Sequence, residues 1–453
     1  MLAALPRKWW LALVALAAGA ALRLWFIHAY PEVQGDPLIY GDIAKNWLLH
    51  GVYGLSRSDG IHPTLIRLPG YPMFLAVCFS LFGIEHYHAV MYTQTVIDLI
   101  TCLLIAGFTA KIASRRAAWI ALWLAALCPF TANYAAIPLT ETLELFFIAL
   151  ALFSFARLLE NPQWRWVLLL AFAFSYAALL RPDGALLAVA LCPAIVYYGA
   201  DLWGWRLMLR MAVVCGVLSV LPFVPWAMRN WRTFHVFQAL APRYAMDPGE
   251  DTDPGFNRWT KTVCADLTCT WEIYWNANSD VMPFANLPSR AFDSPAQYQK
   301  TKQLFGDYNL TTTLTPELDD RFAELAQQRV DAKPLRYYLG MPLLRLADMW
   351  LRPRTELLWI ELRWWEYSKH NAETEFAYAY AGLNLIYLAL AVIGFYRWPR
   401  FSAAMLLFIL LRCALLATIE APEPRYTLEC FPMLIALAGV AFEPKGAYLR
   451  LPL

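Results

Sequence analysis

The chain has 453 residues, of which 59% are hydrophobic, 15% aromatic and only 16% charged. An ordinary soluble domain is about 45–50% apolar and about 25% charged, and mean hydropathy here is +0.42. These figures exclude disorder, a coiled coil and a compact water-soluble enzyme. A net charge of +2 gives a nucleic-acid partner no electrostatic support. The composition is that of a polytopic membrane protein.

A helix needs about 20 apolar residues to cross the hydrocarbon. About ten runs qualify, near 9–29, 88–110, 117–134, 136–157, 165–181, 184–200, 207–227, 377–396, 401–419 and 426–442. The first has no small-residue cleavage site after it and runs into Arg23, Trp25 and Tyr30, which suit an interface, so it reads as a retained span. Basic residues fall on every second connection: Arg7/Lys8, Lys111/Arg115/Arg116, Arg157/Arg165, Arg206/Arg210, Arg397/Arg400 and Lys445. The positive-inside rule then expects both termini in the cytoplasm and two long segments outside, 31–87 and 228–376. The expected organisation is a membrane module over 1–227 carrying the 31–87 loop, an extracytoplasmic α-rich domain over 228–376, and closing spans over 377–453. The fold class expected is all-α, with interfacial helices in the first loop.

Seven cysteines sit in apolar runs and read as small core hydrophobes. Cys264 and Cys269 alone lie in the polar external loop, close in sequence and without clustered histidines. That pattern favours a disulfide over a metal.

Ionisable groups at membrane depth or at a bundle mouth are functional by default, and several gather on the outer side. Asp36 stands in Gly35-Asp36-Pro37, just past the first span, and doubles as an N-cap before Pro37. Arg67 precedes an apolar stretch too short to cross, which would lie flat in the interface; the arginine either snorkels there or grips a phosphate. Glu141 opens the fourth span, where the helix dipole favours it, and Glu144 shares its face one turn deeper. Arg181-Pro182-Asp183, Arg229-Asn230 and Glu423-Pro424-Arg425-Tyr426 complete the outer set. Several arginines and carboxylates on one face suit an anionic lipid and a hydroxyl nucleophile. No Gly-rich phosphate loop, zinc motif or serine-nucleophile elbow occurs.

In their order, these motifs resemble the C-fold (GT-C) glycosyltransferases. They are Asp36…Tyr40, Ile43-Ala44-Lys45-Asn46-Trp47-Leu48, Arg67-Leu68-Pro69-Gly70-Tyr71-Pro72, Leu139-Thr140-Glu141, Arg181-Pro182-Asp183-Gly184, Pro225-Trp226…Arg229-Asn230 and Arg425-Tyr426. The likeness is to the bacterial branch related to protein O-mannosyltransferases and the aminoarabinose transferases of lipid A. It spans the membrane part but not the external domain.

The resemblance implies transfer of a hexosyl or pentosyl group from a polyprenyl-phosphate donor, such as an undecaprenyl phosphate, to a lipid, glycan or protein acceptor outside the bacterial inner membrane. Asp36 would be the catalytic carboxylate and Glu141 a second acidic group. Arg67, with Arg229, Arg181 and Arg425, would hold the donor phosphate. Tyr40, Asp42, Tyr71 and Tyr426, inside or beside those motifs, would contact substrate. A monomer needing no cofactor is expected. Pro37 and Ile66 stand where relatives carry Glu, which weakens the case for a divalent metal. A departing lipid phosphate needs cations rather than a general acid, and one base suffices for the acceptor, so inversion is expected. The alternative is a lipid-linked-oligosaccharide flippase or transporter, which would need polar residues on both sides of the midplane. A scaffold presenting the 228–376 domain is a third reading, and it leaves the outer charges unexplained.

Overall fold

The computed structural model describes residues 9–366 and 371–444; Arg7, Lys8 and Lys445, used above for orientation, lie outside them. The chain divides into two compact units. Unit 1 takes Met1–Glu250, Leu385–Leu411 and Leu428–Leu453, and unit 2 takes Asp251–Asn384 and Arg412–Thr427.

Unit 1 opens with α1 (Trp9–Ala29). α2 (Asp36–His50) starts after Gly35, whose φ of 63° suits a residue without Cβ. Gly35 is therefore the N-cap, and Asp36 is the first helical residue rather than the cap expected from the sequence. Next, β1 (Gly54–Arg57) and β2 (Gly60–Pro63) pair antiparallel, with Gly54 opposite Pro63 and Arg57 opposite Gly60. This hairpin corrects the all-helical expectation for the first loop. The Ser58-Asp59-Gly60 turn carried the signal, but strands of four residues leave no periodicity to read. α3 (Gly70–Phe82) is a 13-residue apolar helix that exposes Val77 and Leu81.

The bundle then runs through α4 (Tyr87–Ile112), α5 (Arg115–Ala126), α6 (Pro129–Ala132), α7 (Glu141–Glu160), α8 (Trp164–Leu180), α9 (Leu186–Trp203), α10 (Trp205–Val220) and α11 (Phe223–Phe234). Among the described residues six helices are long and apolar enough to cross a membrane, or seven if the α5–α6 pair, bent by 50°, is one span. The other expected runs are shorter as helices. α8 has 17 residues, and the run near 426–442 begins as a 3-10 turn and is helical only over Phe431–Val440.

One contact was not foreseen. Arg23 is fully buried instead of lying at an interface, and its Nε donates to Asp98 on α4 at 2.5 Å. Its Nη1 donates to the carbonyls of Gly19 and Ala126 at 2.8 and 2.7 Å. The guanidinium thus caps the Ala126 carbonyl where α5 breaks and is paired with Asp98, which is how a charge inside a bundle is made tolerable.

The two ends of α7 differ in character. Glu160 accepts from Lys111 at 2.7 Å and from Arg157 at 2.6 Å. Glu141 starts the helix about 30 Å away, at 1.5 Å rise per residue over 20 residues.

Unit 2 contains α12 (Pro254–Val263), the single turn α13 (Leu267–Cys269), α14 (Pro295–Asn309), α15 (Pro316–Ala332), α16 (Met341–Leu351) and the start of α17 (Asn371–Tyr396). The chain then returns to unit 1 along α17, enters α18 (Ser402–Leu416) and closes with α19 (Phe431–Val440). Unit 2 has its own core around Trp259, Phe305, Tyr308 and Phe322. Asp319 on α15 accepts from the N–H groups of Gly255 and Phe256 at 2.9 and 2.7 Å, satisfying the open end of α12. Cys264 and Cys269 are joined as a disulfide. Of the remaining cysteines, Cys192 is exposed and Cys413 half-buried, so these two are not core residues as expected.

Candidate active site

Two short helices and one span end build the site. Asp36 leads α2, Arg67 sits in the turn before α3, and Arg67 Nη2 donates to Asp36 Oδ1 at 2.7 Å. The Asp36 side chain is 31% exposed and that of Arg67 19%, so the pair faces an opening rather than a dry core. Arg67 Cζ also lies 5.5 Å from the ring centre of Tyr40, one turn into α2.

Tyr40 organises the surrounding charges. Burial pushes its phenol well above the usual tyrosine range, Arg67 and Arg181 pull it down, and Asp36 and Glu141 raise it. The phenol therefore stays protonated, and four of the sequence-expected residues lie within electrostatic reach of it. Tyr40 packs edge-on against Tyr71, ring centres 5.1 Å apart. Tyr71 donates to Gln94 Oε1 at 2.6 Å. The Gln94 amide nitrogen in turn donates to the Ile137 carbonyl at 2.7 Å and the Tyr134 carbonyl at 3.3 Å. That chain ties the aromatic floor of the site to the backbone leading into α7. The α3 start is equally fixed. Tyr176 donates to the Gly70 carbonyl at 2.9 Å, and a Cβ on Gly70 would stand 2.6 Å from the Leu179 carbonyl oxygen.

Glu141 is buried at the head of α7. One turn on, Glu144 is only 3% exposed, and neither of its carboxylate oxygens accepts a hydrogen bond. Its nearest cation is Arg181, at 3.7 Å from Nε. The same nitrogen lies 3.4 Å from Asp183 and 3.9 Å from Glu429. Arg181 thus lies among carboxylates from the head of α7, from its own turn and from the residues just before α19. Among the described residues no group of His, Cys, Asp and Glu is arranged to hold a metal ion.

Other expected residues have different surroundings. Arg229 donates to the Tyr53 and Thr64 carbonyls at 2.6 and 2.7 Å, and its guanidinium is framed by Tyr53, Trp226 and Phe234. It clamps the first loop onto α11, over a small core of Ile43, Tyr53, Leu65, Leu68 and Trp226. Asp42 accepts from the Ser56 N–H and hydroxyl at 2.6 and 2.9 Å, holding the hairpin to α2. Arg425 and Tyr426 belong to unit 2, where both engage Glu423, at 2.8 and 3.2 Å.

Gln94, Glu144 and Glu429 were not assigned to the site from the sequence. A lone amide inside an apolar run and a second carboxylate one turn past Glu141 were the available signals.

Residues 62–228 match the family model described as dolichyl-phosphate-mannose-protein mannosyltransferase. That stretch includes Arg67, Tyr71, Glu141 and Arg181, while Asp36 precedes it and Arg229 follows it. No curated protein matches the sequence. The structure resembles the oligosaccharyltransferase AglB of Archaeoglobus fulgidus in complex with an inhibitory peptide and a dolichol-phosphate. The TM-score is 0.51 at 13% identity, covering 96% of this chain and 50% of that one. The apo form of the Archaeoglobus fulgidus oligosaccharyltransferase gives 0.51 at 14% identity, covering 95% and 50%. ArnT of Cupriavidus metallidurans bound to undecaprenyl phosphate gives 0.42 at 15% identity, covering 95% and 76%, too low a score to carry weight. The chain spans about half the length of the archaeal enzyme. With an ordered set of motifs, a mannosyltransferase-model match over residues 62–228, and this likeness along almost its whole length, the chain has the GT-C fold of membrane glycosyltransferases.

Proposed function

We propose that this protein is an inverting glycosyltransferase that moves a sugar from a polyprenyl-phosphate donor to an acceptor hydroxyl on the extracytoplasmic side of the membrane. The observation that carries the reading is the Asp36–Arg67 pair at 2.7 Å, with Tyr40, Arg181 and Glu141 gathered around it. The mannosyltransferase-model match and the dolichol-phosphate in the archaeal structure support a lipid-phosphate donor.

The pair has a function in the cycle. Paired with Arg67, Asp36 is a poor base, because a neighbouring cation stabilises the carboxylate. When the donor phosphate arrives it draws the guanidinium to itself, and Asp36 gains basicity only then. The acceptor oxygen attacks the anomeric carbon and its proton passes to Asp36. The carbon–oxygen bond to phosphate breaks, and its electron pair leaves with the polyprenyl phosphate, stabilised by Arg67.

The test is direct. Lipid co-purifying with the protein is extracted and identified by mass spectrometry, and transfer is then assayed with that donor. Asp36→Asn should lower transfer by roughly two to four orders of magnitude, the scale of a positioned base, while donor still binds. Arg67→Ala should lose donor binding as well. Near-normal transfer by Asp36→Asn would remove its role as base. Translocation of an intact lipid-linked oligosaccharide without bond cleavage would favour the flippase instead.

A further inference from the structure

In unit 2, α16 is built the wrong way round for a helix in water. A π turn over Arg336–Gly340 runs straight into α16. Along this segment and the residue before it, Leu335, Leu339, Leu343 and Leu351 are between 52% and 77% exposed. They are spaced by fours, with the exposed Ala347 completing the row, so they form one ridge. Tyr338 and Leu344 widen it.

The charges of α16 point the opposite way. Arg345 is 2% exposed and its Nη1 donates to the Lys261 carbonyl at 3.0 Å. Asp348 accepts from the Leu267 N–H at 3.0 Å and lies 3.5 Å from Arg352. A helix in water turns leucines in and charges out. Here polar groups face the protein, a continuous leucine ridge faces away, and no charged residue from 335 to 351 is exposed. A contiguous exposed apolar patch of this kind marks a contact surface.

The neighbouring helix points to the occupant. Trp350, at the end of α16, accepts from Asn384 Nδ2 at 2.8 Å through its carbonyl, and Arg354 Nε donates to Asn384 Oδ1 at 3.2 Å. Asn384 lies on α17, one of the helices apolar and long enough to cross a membrane. It stands about 18 Å along the axis from Tyr396, the last residue of that helix. In hydrocarbon about 30 Å thick that is near the midplane. The end of α16 shares that depth, and the irregular backbone after it is acceptable there because Arg352 and Arg354 are buried in protein.

We propose that Arg336–Leu351 is a lipid-embedded helix of unit 2, dipping into the bilayer beside α17 with its leucine ridge against acyl chains. The inserted unit is then held by the membrane itself as well as by its chain connections.

The test uses the full-length protein reconstituted in vesicles of phosphatidylethanolamine and phosphatidylglycerol. The photoreactive residue p-benzoylphenylalanine is placed singly at Leu339, Leu343 or, as a control, Leu310, which is 83% exposed beside a run of threonines. After irradiation, mass spectrometry should find phospholipid adducts on the peptides carrying positions 339 and 343 and none at 310. Intact Cys264–Cys269 linkage in each variant verifies folding. Lipid adducts missing from 339 and 343, or equally frequent at 310, would overturn the proposal. Cross-links from 339 and 343 to a second copy of the chain would overturn it in favour of a subunit interface.

Discussion

Tyr71 and Gln94 show what a single hydroxyl does here. Tyr71 is fully buried and its one donor is used on Gln94, whose amide is spent on the Tyr134 and Ile137 carbonyls. Tyr71→Phe would leave the Gln94 carbonyl oxygen buried without its donor, at a cost of about 1–3 kcal/mol. Tyr71→Phe should therefore lower the melting temperature of the detergent-purified protein. Adding Gln94→Leu should cost less than the sum of the single changes, because both act on one network. Additive losses would show that the two residues act independently. Asp36, Arg67, Glu141 and Arg181 were legible because their chemistry is local, a charge at a span end inside an ordered set of motifs. The Arg23–Asp98 pair was not. Its partners are 75 residues apart, and an arginine near a helix end reads equally well as an interfacial anchor.

At the scale of elements, unit 2 offers an acid-sensitive joint. Asp293, just before α14, accepts both Nη groups of Arg336 at 2.6 Å and Lys333 Nζ at 2.9 Å. The Arg336 hydrogen bonds, with help from Lys333 and Arg329, hold its carboxyl far below the ordinary aspartate range. The folded pKa is depressed, so this stabilisation is complete above the unfolded value of about 4 and is lost as pH falls toward the folded one. Asp293→Asn should cost about 2–4 kcal/mol at pH 7, because three cations lose their shared anion. Melting curves should show the variant and the parent converging as pH drops below about 4. A gap that stays constant from pH 7 to pH 3 would mean the aspartate acts by shape alone. The spans, by contrast, announced themselves: α1, α4, α7 and α17 fall within a few residues of the apolar runs read from the sequence. Composition reads apolar length, not helix length, so the run near 426–442 contained a 3-10 turn that hydropathy does not resolve. The hairpin escaped for the complementary reason, since its strands are too short to set a pattern.

At the scale of the whole molecule, the proposed function requires the two ends of α7 to face different compartments. Within unit 1, Asp36, Arg67 and Glu141 cluster at the head of α7, and Lys111, Arg157 and Glu160 at its tail, so the two ends cannot share a compartment if α7 crosses. The positive-inside rule expects the tail in the cytoplasm, and the proposed function requires the Asp36–Arg67 pair on the opposite side. Seven cysteines are free of the disulfide; five are buried, and Cys192 is exposed on the apolar helix α9, out of reach of a charged reagent if that face meets lipid. Background labelling should thus be low. A cysteine replacing the exposed Asn161, in the turn after α7, should react with a membrane-impermeant maleimide only once cells are permeabilised. A cysteine replacing the exposed Asp251 should react in intact spheroplasts. The reverse pattern would turn the Asp36–Arg67 pair toward the cytoplasm, and transfer on the extracytoplasmic side would no longer be tenable. Labelling of both positions before permeabilisation would mean that α7 does not cross at all, since Asn161 and Glu141 could then lie on one side.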